Sequence, residues 1–158
     1  MDREVLFDGK IFDVVRRDGM DVVEHGPAVA IVAVSDGHVT LVRQPRVAAG
    51  GKLLELPAGG VEDGEKPLET AQRELREETG LHGGDWVEAA TFFTSPGYTD
   101  EKMHLFVATG LEQGEASPEG SEEIELVRVP LEEIPALVEE IEDAKTLTGL
   151  LLLLRLRG

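Results

Sequence analysis

The sequence contains no cysteine, which removes three chemistries at once: a disulfide framework, a thiolate metal site and a cysteine nucleophile. Asparagine is absent and glutamine scarce, a bias that adaptation to heat and genome composition explain equally well. Aromatic residues make up only 4% of the chain, so few rings exist to stack on a planar ligand. Bases are also few: 15 Lys and Arg stand against 32 Asp and Glu, for a formal charge of −17. A surface this acidic repels a polyphosphate backbone, which argues against nucleic-acid binding through a basic face. A small phosphorylated ligand would be repelled too, unless clustered carboxylates held divalent cations between them. No apolar run is long enough to span a bilayer; the longest, Leu150 to Leu154 with Leu147 and Leu156 beside it, is interrupted by Arg155. No basic-then-apolar leader opens the sequence, and the expected location is cytoplasmic.

What is present suits one domain with a hydrophobic core: 158 residues, 41% apolar and 30% charged. Two hairpins are legible. Val5 to Phe7 and Ile11 to Val15 flank Asp8-Gly9, while Ala28 to Val34 and Val39 to Val42 flank Asp36-Gly37. Further strands are expected at Leu53 to Leu56, Trp86 to Phe93, His104 to Thr109 and Ile124 to Val129. Pro67 can open a helix in which Leu68, Ala71 and Leu75 recur at helical spacing, with Gly80 as its left-handed cap. A second helix is expected near Pro130 to Glu132, ending or bending at Pro135 and resuming through Leu137, Val138 and Ile141, and a third from Ala144 to Leu154. Mixed strands with segregated helices predict an α/β or α+β sandwich.

One segment carries the chemistry. Gly59 to Leu81 is a glycine-rich acidic loop that feeds a helix bearing Arg73, Glu74, Glu77 and Glu78. Glu74 and Glu78 are four apart and Glu77 lies three beyond Glu74, so the three carboxylates project from adjoining helix faces. Like charges at that spacing repel, and either water or a cation must separate them. Ordinary solvated acidic helices are common. If a cation is involved, hard oxygen donors select magnesium or manganese over zinc.

The same segment resembles the Nudix box: Gly, five residues, Glu, seven residues, Arg-Glu, an aliphatic, any residue, Glu-Glu, any residue, Gly, an aliphatic. Gly59, Glu65, Arg73, Glu74, Leu75, Glu77, Glu78, Gly80 and Leu81 occupy every defined place. The resemblance implies a mixed sheet sandwiched between helices, with an N-terminal antiparallel β-hairpin subdomain. It implies magnesium-dependent hydrolysis of a pyrophosphate, with the metal clamping phosphate oxygens and acidifying a bound water. By the same resemblance, Glu74, Glu78 and the Ala58 carbonyl would be metal ligands. Glu77 would be a further ligand or an aid to the attacking water, Arg73 would orient the carboxylates, and Glu65 would help hold the loop or a metal-bound water. No Ser-His-Asp arrangement is needed, and His25, His38, His82 and His104 read as structural or surface residues.

The substrate must be read elsewhere in the chain. Ser95-Pro96-Gly97-Tyr98-Thr99-Asp100-Glu101 is a turn by composition, yet it resembles the loop of the family's ADP-ribose pyrophosphatases, in which Ser95 and Glu101 would contact substrate. The stretch Val42 to Arg46 and the approach Leu53 to Gly60 are similar to that subfamily as well. Arg43, Arg46 and Glu55 are the candidate substrate contacts there, with an Arg46–Glu55 ion pair as the alternative reading. Pro45 and Val47 depart from the pattern, standing where aromatics are common, which leaves the base to Phe12 or to aliphatic and Arg side chains. Between Leu111 and Ile124 lies an acidic loop. The resemblance makes one of its glutamates a general base or metal ligand: Glu122, with Glu119 and Glu123 as rivals.

These features imply hydrolysis of ADP-ribose to AMP and ribose 5-phosphate. The alternatives are another nucleoside diphosphate sugar (a GDP- or UDP-sugar) or a non-catalytic nucleotide sensor. Residues 1–24 would form a dimerising hairpin region, residues 25–158 the catalytic domain, and the assembly a homodimer.

Overall fold

Two aspartate–glycine pairs turn the chain back on itself with both residues at positive φ: Asp18 and Gly19 at 49° and 82°, Asp36 and Gly37 at 49° and 73°. That conformation matches the twist of the strands it joins. The structure, a computed structural model, describes residues 2–117 and 123–158. Its N-terminal sheet has three antiparallel strands, β1 (Arg3–Asp8), β2 (Asp13–Arg17) and β3 (Met20–Glu24), in that order. The expected hairpin is β1–β2, although Ile11 and Phe12 lie in its turn and not in a strand. The third strand was not expected, although Asp18-Gly19 is the same hairpin signal as Asp36-Gly37.

The main sheet has seven strands. β4 (Ala28–Ser35) and β5 (His38–Arg46) form the second hairpin, and β6 (Gly51–Glu55) and β7 (Ala58–Gly60) pair with β5 and β4 respectively. The helix α1 (Pro67–Thr79) follows, then β8 (Leu81–His82), β9 (Asp85–Phe93), β10 (Lys102–Thr109), β11 (Glu112–Gln113) and β12 (Glu125–Pro130). The order across the sheet is β12-β5-β4-β10-β9. The β4–β10 ladder is parallel, while β8 and β11 make a separate two-stranded ribbon. α2 (Ile134–Leu137) and α3 (Ala144–Arg157) close the chain. The helical stretch changes at Pro135, which sits in the first turn of α2, where its missing amide is harmless. 3-10 turns flank that short helix on both sides.

β4 shows why the sheet is sandwiched. Its residues alternate between two cores: Ala28, Ala30 and Val32 pack with Leu150 and Leu153 of α3, while Val29, Ile31 and Ala33 pack with Ala71 and Leu75 of α1. A strand covered on both faces reads as a continuous apolar run, as this one does. Gly149 lets α3 lie close to the sheet: a Cβ there would stand 2.6 Å from Leu56 Cδ1 and 3.0 Å from Val32 Cγ2. Among the described residues, no helix is long and apolar enough to cross a membrane.

Ion pairs bind the N-terminal sheet together and to the rest of the chain. Glu24 accepts from Arg3 at 2.7 Å and from Arg17 at 2.5 Å, and Arg17 also reaches Asp100 at 3.2 Å. The bonds from Arg3 and then Arg17 hold the Glu24 carboxyl down at about 2. A depressed carboxylate stabilises the fold above its unfolded pKa and loses that contribution as pH falls through its folded value. Unfolding followed from pH 6 down to 2 should therefore show stability lost below about pH 4.5, and Glu24→Gln should flatten that dependence. An identical pH profile for both proteins would contradict it.

Candidate active site

α1 is built to present its acids. Pro67 stands in its first turn, Glu69 accepts from the Lys66 backbone N–H at 3.1 Å, and Gly80 ends it at φ 80°. Ala71 and Leu75 are buried against the sheet, which turns Glu74, Glu77 and Glu78 toward a cavity of 530 Å³. Two further walls come from β7, with Ala58, Gly59 and Gly60, and from the start of α3, with Asp143, Ala144 and Lys145. Arg46 and Gln44 of β5, together with Thr94 and Glu101, line the rest.

Gly59 is a glycine because Glu74 packs on it. A Cβ at that position would lie 2.3 Å from Glu74 Cδ and 2.5 Å from Oε1. Arg73 then gathers the surrounding carboxylates with one planar fork. Its Nε and Nη2 donate to Glu65 at 2.9 and 3.0 Å, and its Nη1 is shared between Glu74 at 3.1 Å and Glu77 at 3.2 Å. Glu65 also accepts from Thr70 Oγ1 and the Glu62 N–H, both near 3 Å. The Arg73 guanidinium holds the Glu65 carboxyl at about 2, and the Arg73 pKa is itself raised by Glu65. Glu65 therefore anchors Arg73 outside the cavity wall, and Arg73 orients Glu74 and Glu77 within it.

Glu74, Glu77 and Glu78 share one wall, and one oxygen of Glu78 is buried. Among the described residues, no group of three acidic or histidine side chains is already gathered as an assembled cation site. The donor set is nonetheless all hard oxygen, with the Ala58 backbone on the facing strand, and this fits magnesium or manganese.

The substrate-side expectations divide. Arg46 lines the cavity and is also the partner of Glu55: Nε and Nη2 donate to its two oxygens at 2.7 and 2.9 Å. The ion pair considered from sequence is thus present, and its hydrogen bonds raise the Arg46 pKa. Glu55 is buried and lies outside the cavity lining, where it accepts from Arg46 and Lys145. Arg43 lies elsewhere. Three positions from Arg46 on an alternating strand, it leaves the cavity, pairs with Glu125 at 3.4 Å and lines a separate, smaller cleft beside Leu137 and Ile141.

Glu101 lines the cavity, where Thr94 Oγ1 donates to it at 2.8 Å and His25 Nδ1 lies 3.2 Å away. Ser95 does not line it; its backbone carbonyl accepts from the Tyr98 and Thr99 N–H groups to close the turn, and Thr94 takes the place expected of it. His25 also departs from its structural or surface reading, since it lines the cavity beside Glu101. Ile11, not Phe12, reaches the cavity from the N-terminal turn. Glu123 is exposed and outside the cavity wall, while Glu119 and Glu122 lie outside the described residues. The approach to their loop is tied to α1, where the Ser117 N–H donates to the Glu77 carbonyl at 2.8 Å.

Only the fold could reveal some of this. The Ser95 to Glu101 loop is the seam to the N-terminal sheet: the Val23 N–H donates to the Tyr98 carbonyl at 2.7 Å, and the Asp100 N–H to the Val23 carbonyl at 3.2 Å. Burial opposes the charge on Asp100, yet the His25 and Gly26 N–H groups and Arg17 hold its pKa below the ordinary value. No local signal marks Asp100 for that role.

Comparison with known proteins agrees with this geometry. The NUDIX domain model matches residues 24–150. An ADP-ribose pyrophosphatase of Bacillus subtilis is 39% identical over 158 residues, covering 91% of this chain and 85% of that one. A methanol dehydrogenase activator of Bacillus methanolicus is 36% identical over 157 residues, covering 90% and 85%. Among solved structures, an ADP compounds hydrolase superposes with a TM-score of 0.81 at 26% identity, covering 98% of this chain and 91% of that one.

Proposed function

The chain belongs to the NUDIX domain family, and from that premise we propose that it hydrolyses the pyrophosphate bond of ADP-ribose, giving AMP and ribose 5-phosphate. The observation that carries this reading is the single cavity that joins Glu74, Glu77 and Glu78 on one wall to Arg46 and Glu101 on the others. Glu74, Glu78 and the Ala58 carbonyl would hold magnesium, with Glu77 beside them. When bound there, the metal supplies charge neutralisation at the phosphoryl oxygens and a water acidic enough to attack near neutral pH. The chain's own groups position the reactants. Arg46 donates to the diphosphate through the N–H groups that Glu55 leaves over, and Glu101, steadied by Thr94 and His25, accepts from a ribose hydroxyl. Arg73 keeps Glu74 and Glu77 from drifting apart, and Glu65 keeps Arg73 in place. A glutamate of the acidic loop, Glu122 by its place before β12, is assigned as the base.

Release of nucleoside monophosphate from a panel of ADP-ribose, GDP-sugars and UDP-sugars, each with magnesium, tests the assignment. ADP-ribose should be cleaved fastest. Faster cleavage of a GDP-sugar would replace the substrate and keep the reaction, whereas no cleavage of any compound would leave a nucleotide sensor as the better reading.

Residues 1–24 are assigned as a dimer-forming region and residues 25–158 as the catalytic domain. In support, Val5, Phe7 and Ile11 expose large apolar side chains from one small sheet and its turn. Light scattering at micromolar concentration should give twice the chain's 17.1 kDa mass, and a monomer would contradict the assignment.

A further inference from the structure

A second cleft, of 200 Å³, opens where β5 and β6 meet α2 and the segment that follows it. Strand alternation separates it from the larger cavity. Gln44 and Arg46 line that cavity, whereas Arg43, paired in register with Leu54, projects from the other face of the sheet. Lys52 stands two residues before Leu54 and shares that face. Leu137 of α2 and the segment Glu140-Ile141-Glu142, which leads from a 3-10 turn toward α3, close the other side. Leu54, Leu137 and Ile141 pack against the main core, so the floor of the cleft is apolar.

Its walls carry two bases, Arg43 and Lys52, and two acids, Glu140 and Glu142. On a chain of charge −17 such a balance is a local exception. Among the described residues, neither base forms an ion pair with either acid, although all four line one small cleft. Arg43 reaches Glu125 at 3.4 Å, which takes one of the five N–H groups of its guanidinium. Opposite charges held apart around an apolar floor match a ligand that carries both signs and an apolar body. The volume falls below the roughly 300 Å³ at which pockets for drug-sized ligands begin, so the ligand must be compact.

We propose that this cleft binds a free α-amino acid with a branched aliphatic side chain, such as leucine. The carboxylate accepts from Arg43 and Lys52, a planar fork beside a point charge. The ammonium donates to Glu140 and Glu142, and the side chain lies on Leu54, Leu137 and Ile141. A peptide end offers one of the two charges without the other, which is why the free amino acid is the match. No residue that lines the larger cavity takes part, so the site is independent of the hydrolysis proposed above.

Amide chemical shifts of the isotope-labelled chain, followed by NMR during titration with L-leucine, are the test. The Leu53, Leu54, Leu137 and Ile141 N–H signals should move with a Kd of about 1 mM or below, while those of Ala58 and Glu74 stay still. N-acetyl-leucine lacks the ammonium, leucinamide the carboxylate and glycine the side chain. Each should bind at least about fivefold more weakly than leucine. R43Q and the double variant E140Q/E142Q should weaken leucine by a similar factor. These side chains reach solvent, so the unfolding temperature should stay near that of the wild type. A groove that is only solvated predicts no movement of the cleft signals at millimolar leucine, and that result overturns the proposal. So does equal binding of leucine and N-acetyl-leucine, which would mark a plain anion site, or of leucine and leucinamide. Undiminished affinity in both variants overturns it as well, and the ligand series on the wild type decides even if neither variant folds.

Discussion

Glu78→Gln should lower turnover by about three orders of magnitude or more, while circular dichroism and the unfolding temperature stay close to wild type. Glutamine preserves the shape and one acceptor oxygen of the side chain but removes its charge. Glu78 is four residues after Glu74, on the helix face that borders the cavity, and one of its oxygens is buried. A half-buried carboxylate on the same cavity wall as Glu74 and Glu77 offers a hard oxygen donor to a divalent cation. Manganese binding, followed by electron paramagnetic resonance, should weaken in step with activity. A variant that hydrolyses substrate at the wild-type rate would remove Glu78 from the metal set, and with it the argument built on the helix.

The second large effect is expected from a single methyl group. Gly59→Ala places a Cβ 2.3 Å from Glu74 Cδ and 2.6 Å from Cγ, closer than real contacts allow. Either Glu74 swings away or β7 retreats from α1. In the first case the Arg73 bond to Glu74 Oε1 is lost, and in the second the Ala58 carbonyl moves. Displacement of a reacting group by about 1 Å costs roughly a hundredfold, and kcat/KM should fall by about that factor. Gly60→Ala is the matched control: nothing lies within 4 Å of a Cβ built there, and the backbone is not in the left-handed region. Equal activities for the two alanine variants would show that close packing of Gly59 on Glu74 has no catalytic consequence.

The residues differ in how far their own neighbours in sequence disclose them. The carboxylates of α1 were legible because helical geometry is local. Three and four residue spacings bring side chains together whatever the rest of the chain does, and Glu74, Glu77 and Glu78 do share one wall. Gly80 as a left-handed cap was legible for the same reason. So were the Asp36-Gly37 turn and the apolar run of β4, since each depends on a few adjacent residues. The Arg46–Glu55 pair was within reach because a short hairpin joins β5 to β6.

Residues brought together by long-range pairing were not legible. Thr94 and Ser95 are adjacent polar residues in one loop, and only the fold of the turn sends Thr94 to the cavity and closes Ser95 on its own backbone. Arg43 and Arg46 are both cations on β5, and alternation along a strand places one in the cavity and the other against Glu125. His25 and Lys145 carry no local signal at all. His25 reaches Glu101 because β3 docks on the Ser95 to Glu101 loop, and Lys145 reaches Glu55 because Gly149 lets α3 lie close to the sheet. By itself, the sequence determined the elements and the acidic cluster, both of which depend on separations of a few residues. Tertiary structure alone decided which cations face those acids, because that depends on sheet order and helix docking across the whole chain.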